Sequence, residues 1–185
     1  QSWVEEAERR GLLNLRTTVD ALPYYLKPKN VELFERQKVF TAQEVESRYE
    51  IKLETYVKVI DIEALSMIDI ARHMILPAAI AYSKEVAREI SLKKAAVPDL
   101  APEAETALLR ELNEQTNALY TRTAALEKAV KEMQGLEDML KRGEYIRDVV
   151  IDAMNSLRAA GDALEGLVGK SYWPMPTYQD LLTSV

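Results

Sequence analysis

The sequence predicts an all-α fold: an elongated antiparallel helical bundle with one long proline-kinked helix and an extended aromatic C-terminal tail. Three observations lead there. Apolar residues recur at steps of three and four along most of the chain, which is the helical period. Only six glycines and seven prolines fall in 185 residues, so helices can run long without interruption. No strand signal and no repeat of solenoid length is visible. Length and a 48% hydrophobic content fit one globular domain, residues 1–185. A chain of that size buries roughly 70% of its unfolded surface.

Residues 1–40 read as short helices. Ser2 can cap the first, Glu5 and Glu6 suit its first turn, and Gly11 stops it. Residues 14–18 are a polar connection. Residues 20–26 make one or two turns with Pro23 near the start, and Pro28 opens a helix to about Lys38. Thr41 and Glu44 form a capping box that starts the dominant element, residues 41–92. Its apolar series runs Tyr49, Leu53, Val57, Ile60, Ala64, Met67, Ala71, Ile75, Ala78, Tyr82, Val86 and Ile90. Such a helix spans about 75 Å. Pro77 lies inside it, at a cost of ~3 kcal/mol for the lost hydrogen bond and the clash with the preceding turn. Because the apolar phase continues past it, the expectation is a kink near residues 73–77 and not a break.

Val97-Pro98-Asp99-Leu100-Ala101-Pro102 is the clearest loop, with Pro102 opening the helix 102–134. Leu109, Leu112, Thr116, Leu119, Thr123, Leu126, Val130 and Met133 form a heptad seam with two threonines in it. Gly135 marks a reversal into the helix 136–168, which Gly143 and Gly161 weaken without breaking the phase. Gly169 ends it, and the docking tail 169–185 follows.

The totals also exclude. Net charge is −6 with no basic patch, which disfavours nucleic acid or an anionic membrane as partner. With no cysteine there is neither a disulfide nor a thiolate metal site, a pattern compatible with a cytoplasmic location. No uninterrupted apolar run approaches the ~18 residues of a membrane span; the longest, residues 71–82, is broken by Arg72 and His73. The chain begins with Gln1 and not methionine, so it is expected to be a fragment of a larger protein.

Chemistry is sparse. His73 is the only histidine, with Asp69 one turn before it, too few ligands for a metal. No Glu-x-x-His of a helical di-metal site is present. The carboxylates of residues 44–63 fit a solvated face with ion pairs such as Glu44 to Arg48 and Glu54 to Lys58. Gly166 to Ser171 lacks the spacing of a phosphate loop and reads as a helix cap. No catalytic, cofactor-binding or metal residue is assigned. The residues singled out for structure and interaction are Pro77, Trp173, Pro174, Pro176, Tyr178, Leu181 and Leu182. The tail Tyr172-Trp173-Pro174-Met175-Pro176-Thr177-Tyr178-Gln179-Asp180-Leu181-Leu182 cannot be helical through its prolines, and it is too aromatic for a solvated end. It is expected to fold back over the seam between the long helix and the last one; attachment to a neighbouring subunit is the competing idea.

As a word, that tail resembles the Trp-Pro-x-Pro-Thr-Tyr-x-x-Leu-Leu ending of type III glutamine synthetases. Arg48-Tyr49-Glu50 through Tyr56 resembles that family's Arg-Tyr-Glu-x-x-x-Glu-x-Tyr segment, Ile62-Glu63-Ala64-Leu65-Ser66-Met67 its Ile-Glu-Ala-Leu-x-Met helix, and Ile75-Leu76-Pro77-Ala78 its proline kink. Tyr145-Ile146-Arg147-Asp148, Ala153-Met154 and Leu157-Arg158 resemble its last long helix. The likeness covers residues 15–182 and is weakest over 91–133. One departure is Thr183-Ser184-Val185, where the family commonly ends on an aromatic residue.

The resemblance implies a parent enzyme that ligates ammonia to glutamate with ATP and a divalent metal, Mg or Mn. It also implies partners: an upstream catalytic domain and neighbouring subunits of a homo-oligomer. None of the family's nucleotide, metal or glutamate motifs occurs here, so the expected role is a non-catalytic structural or assembly segment, inactive alone. A free-standing helical adaptor is the alternative.

Overall fold

The computed structural model describes residues 2–176 and 178–183, apart from the side chains of Ser2, Tyr178 and Gln179. The expected Ser2 cap, the Tyr178 side chain and the C-terminal departure at Ser184 and Val185 therefore lie outside the described residues. Among the described residues there is helix and no strand. The helices are α1 (Ser2–Arg9), α2 (Thr18–Ala21), α3 (Pro28–Arg36), α4 (Ala42–Ile70), α5 (Leu76–Ala96), α6 (Glu103–Gln134), α7 (Met139–Tyr145), α8 (Ile151–Leu167) and α9 (Tyr178–Thr183). The backbone divides into two units: Gln1–Ile62 with Met133–Val149, and Glu63–Glu132 with Val150–Val185.

In the first unit the local signals act as their chemistry requires. Gly11 takes φ +78° and closes α1 with a Leu12 N–H to Ala7 carbonyl bond of 2.9 Å. Thr17, placed in a polar connection by sequence, caps α2 by accepting from the Asp20 amide at 3.2 Å. A 3₁₀ turn, Leu22–Leu26, then carries Pro23. At the head of α4 the capping box forms on both sides: Thr41 N–H donates to Glu44 Oε2 at 2.8 Å, and Glu44 N–H donates to Thr41 Oγ1 at 3.3 Å. Those bonds hold the Glu44 carboxyl below its ordinary pKa, with a smaller contribution from Arg48. The expected Glu44–Arg48 pairing is thereby corrected. Glu44 turns back to its cap, and the Arg48 guanidinium lies 4.2 Å from the Phe40 ring centroid. Glu54 and Lys58 do pair, at 2.6 Å.

Val19, Leu22, Val45, Leu53, Val57 and Ile146 are buried in this unit. α7 reaches them through Gly143, where a Cβ would stand 3.1 Å from Val19 Cγ2 and 3.3 Å from Leu53 Cδ1. The helix expected from residue 136 begins three residues later, because Asp138 is its cap and accepts from the Lys141 amide at 2.7 Å. The residues ahead of it are held by Arg142, which donates to the Leu136 carbonyl at 2.5 Å and the Gln134 carbonyl at 3.1 Å. A π-helical segment, Ile146–Val150, follows and presents Arg147 to Asp20 at 2.7 Å and to Asp148 at 2.6 Å. The Thr17 hydroxyl and then Arg147 hold Asp20 low, and Arg147 holds Asp148 low.

In the second unit α4 continues through a π-helical turn, Ala71–Ile75, into α5. In this turn the Leu76 N–H bonds back to the Ala71 carbonyl, five residues away. The widened turn immediately precedes Pro77 and gives its ring room beside the carbonyl that a regular turn would press against it. The helix is not broken. Ala64, Ile68, Ala71, Ile75, Ala79 and Val86 are its buried residues here. Met67, Ala78 and Tyr82, expected in that stripe, are half-buried beside it.

Lys93 bonds Glu105, and Arg72 bonds Glu127 at 2.5 Å, so the 71–96 stretch and α6 run antiparallel. Leu112, Leu119, Thr123, Leu126 and Val130 are buried along the α6 seam in this unit, while Leu109 and Thr116 are half-buried. The seam threonines answer their own hydroxyls: Thr116 donates to the Leu112 carbonyl at 2.6 Å and Thr123 to the Leu119 carbonyl at 2.7 Å. α8 brings Leu157, Ala160, Gly161 and Leu164 into the core, and Arg122 of α6 donates to the Ser156 carbonyl at 3.0 Å. A Cβ on Gly161 would meet Ile75 Cδ1 at 3.6 Å, an ordinary contact.

The long helix also contains an 18-residue window that by length and composition could cross a membrane, which a search for uninterrupted apolar runs does not pick out. Only 28% of that window is buried within the chain.

The helical glycines make opposite expectations. Alanine is about 1 kcal/mol better than glycine in a helix interior. At Gly161 the added methyl fits, so Gly161→Ala raises the midpoint of urea denaturation. At Gly143 the methyl must push Val19 or Leu53, and overpacking of about 1–3 kcal/mol outweighs the propensity gain, so Gly143→Ala lowers it. Asp20 and Asp148 carry depressed pKa values, so their contribution is present at neutral pH and lost as pH falls through the folded values, below the ordinary carboxylate range. Arg147→Gln is therefore less stable than the parent at pH 7, and the gap narrows toward pH 2 when both are melted across that range.

Candidate interaction site: the aromatic tail

α8 ends at Leu167, and the chain turns at Gly169, whose carbonyl accepts from Tyr172 N–H at 2.8 Å and from Trp173 N–H at 3.2 Å. The turn sits against Tyr82: a Cβ on Gly169 would stand 3.1 Å from Tyr82 Cε2, so any larger residue would have to push the ring. The Tyr172 ring then meets Tyr82 with centroids 5.3 Å apart at a tilt of 53°. Lys170 pairs with Asp180 at 2.9 Å and ties the turn to α9.

Beyond the turn Trp173, Met175 and Pro176 form one wall of a cleft of about 280 Å³. Met67, Ile70, Ala71 and Ile75 of the long helix line it, together with Leu157 and Gly161 of α8. Trp173 and Met175 are half-buried, while Pro174 and Pro176 are exposed. The indole Nε1 is enclosed yet has no hydrogen-bond partner among the described residues.

The other singled-out residues are not brought to this cleft. Pro77 is exposed on the long helix just past the π-turn. Leu181 and Leu182 lie in α9 and stay 59% and 81% exposed. The sequence offered no signal for the Tyr82–Tyr172 contact beyond an abundance of tyrosines; Gly169, read there as a helix stop, also fits the ring.

Elsewhere the polar clusters are surface pairs. His73 Nδ1 lies 2.8 Å from Asp69 Oδ1, with both side chains 71% exposed. Among the described residues no three His, Cys, Asp or Glu side chains are grouped to hold a metal ion.

Removing the indole exposes the half-buried wall, so Trp173→Ala lowers stability by about 2–3 kcal/mol, less than the ~3–5 kcal/mol of a fully enclosed aromatic. Urea denaturation measures it, and unchanged stability would mean the tail does not pack on this cleft.

Comparison with known proteins gives this geometry a family. The family model described as the glutamine synthetase C-terminal domain matches residues 1–94. A glutamine synthetase from Butyrivibrio fibrisolvens is 34% identical over 183 residues, 99% of this chain and 26% of that protein. A type-3 glutamine synthetase from Dictyostelium discoideum is 32% identical over 97% of this chain and 25% of its own length. One from Bacteroides fragilis is 25% identical over 98% of this chain and 26% of its own length. The chain thus spans about a quarter of each relative it matches. By its match over residues 1–94, and with relatives aligned along nearly its whole length, the chain belongs to the glutamine synthetase C-terminal domain family.

Proposed function

We propose that this chain serves as the structural and assembly segment of a larger glutamine synthetase, and that it does no chemistry itself. The observation carrying the reading is that alignments covering 97–99% of this chain occupy only 25–26% of each relative. Ammonia ligation with ATP and Mg or Mn is then work for the remainder of such a polypeptide. The groups present here support this division: the sole histidine is an exposed partner of Asp69, and the shifted carboxyls are capping or ion-paired residues.

The partners in this reading are the upstream catalytic domain and neighbouring subunits of a homo-oligomer in the cytoplasm. Exposed apolar side chains supply surface for them. In the second unit Leu65, Ile80 and Leu92 on the long helix, Tyr120 on α6, and Leu181 and Leu182 on α9 all face outward. Side chains of this kind gain when a protein partner covers them. Pro77, Trp173, Pro174 and Pro176 act by shaping the long helix and seating the tail, and Leu181 and Leu182 add exposed apolar surface for a neighbour. Residues 1–185 work as one segment in this role.

Two measurements test it. Supplied with glutamate, ammonia, ATP and Mg or Mn, the 185-residue chain forms no glutamine above background; a rate that copurifies with the chain overturns the non-catalytic reading. In the polypeptide that carries this segment, Leu181→Ser with Leu182→Ser shifts the sedimentation profile toward smaller species. An unchanged profile removes α9 as an assembly contact.

A further inference from the structure

We propose that the apolar side of α1 is the face by which this segment docks on the preceding domain of its own polypeptide. The proposal rests on the reading of the chain as part of a larger glutamine synthetase. Trp3, Val4 and Ala7 fall on one side of the helix, and Glu5, Glu6, Glu8 and Arg9 take the rest of its circumference. The charged part is answered locally, since Arg9 and Arg10 both donate to Glu6, at 2.7 and 2.6 Å. Beyond the helix Gly11 reverses the chain, with its own N–H on the Glu8 carbonyl and the Leu12 N–H on the Ala7 carbonyl. That closure returns the residue after the glycine to the side of Ala7. The apolar side therefore runs from Trp3 to Leu12, and Leu13 follows it.

The described fold leaves this side open. Trp3 is 65% exposed, Leu12 55% and Leu13 58%, and of the apolar residues in α1 only Ala7 is half-buried. A helix of two turns is marginal in water by itself, and in proteins it is packing of the apolar face that holds such a helix. An indole and two leucines turned to solvent are the surface that a protein neighbour covers with gain.

Position and size name the occupant. Alignments along nearly the whole chain take up 25–26% of each relative, and the matching family is a C-terminal domain, so about three quarters of such a polypeptide stands ahead of this segment. α1 is the element nearest to it in sequence. Cover from that side closes the shortest loop and costs the least chain entropy. The patch is on the order of 300 Å², under half of the ~800 Å² per partner in a free-standing interface. So small a patch suits a tethered neighbour at an effective concentration of about millimolar, and not a second copy arriving from solution. The occupant is an apolar surface of the preceding domain with a recess for the indole.

The test uses the full-length polypeptide that carries this segment. With p-benzoylphenylalanine in place of Leu13, irradiation joins that residue to a peptide ahead of the segment, and the product keeps the mass of one polypeptide on a denaturing gel. A doubled mass, a link confined to the segment, or no link into the preceding region overturns the proposal. Hydrogen exchange is the second measurement and decides alone should the photoreactive variant fail to fold. Trp3→Ser with Leu12→Ser speeds exchange of the amides of residues 3–12 by ~10-fold or more and leaves those of α6 unchanged. Equal exchange in parent and variant means that nothing covers α1, and it overturns the proposal. Failure of the underlying reading is seen separately. Glutamine formed by the 185-residue chain alone overturns the non-catalytic role and leaves the crosslink as it is, whereas a crosslink to a second copy removes this docking and leaves that role.

Discussion

Pro77 cannot donate a backbone hydrogen bond to the helix in which it stands, and its ring would press on the carbonyl four residues earlier. The second unit is arranged around the answer to that constraint. The π-turn over Ala71–Ile75 lengthens one backbone bond to five residues and lets α4 pass into α5 without a gap. Ala71, Ile75 and Ala79 stay on one buried stripe across the turn. On that stripe Ile75 stands where a Cβ on Gly161 would meet it at 3.6 Å, and Ala71 and Ile75 line the same cleft as Trp173 and Met175. Small residues recur where the helices come close: Ala64, Ala71 and Ala79 on one helix, Ala160 and Gly161 on another. Helix separation depends on the side chains at the contact, and these keep it short.

Polar groups in the core are answered locally. The threonines of α6 return their hydroxyls to carbonyls one turn back, which lets them sit in an apolar seam without cross-helix partners. Ion pairs such as Lys93–Glu105 and Arg72–Glu127 lie partly in solvent, where such pairs add little stability. Their value here is orientation, since they are consistent with a single antiparallel register. Among the described residues the Trp173 indole nitrogen is enclosed without a hydrogen-bond partner, and its ring lines the cleft beside the tail.

Elements with a backbone rule behind them were legible from residues alone. Thr41 with Glu44, Gly11, Pro28 and Pro102 each act through hydrogen-bonding capacity or φ, and each marks a boundary within a residue or two of the observed one. The phase of the long helix was less legible, because apolar residues stand side by side at Met67 and Ile68 and at Ala78 and Ala79. Either member of each pair satisfies a three-or-four step, and it is Ile68 and Ala79 that are buried. Asp138 was passed over as a cap because Gly135 gave a louder signal nearby. In the tail, the prolines showed where helix could not be and the aromatic content led to an expectation of docking, but nothing showed that Leu181 and Leu182 would face out. The turn into the tail rests on Gly169 and Tyr82, far apart in sequence. The family was legible from the order of short motifs, and the match over residues 1–94 agrees with it.

If the widened turn holds the stripe on which α8 and the tail rest, then removing its cause must be felt at both. The direct measurement is chemical denaturation of Pro77→Ala with Trp173 fluorescence as the probe, in a background where Trp3 is phenylalanine. The expected result is lower stability with emission of the folded state shifted to the red, as a regular turn re-phases Ala71 and Ile75 in the cleft that Trp173 lines. Proline to alanine should otherwise gain up to ~3 kcal/mol in a helix interior. A clear rise in stability with Trp173 emission unchanged would contradict the role given to the turn.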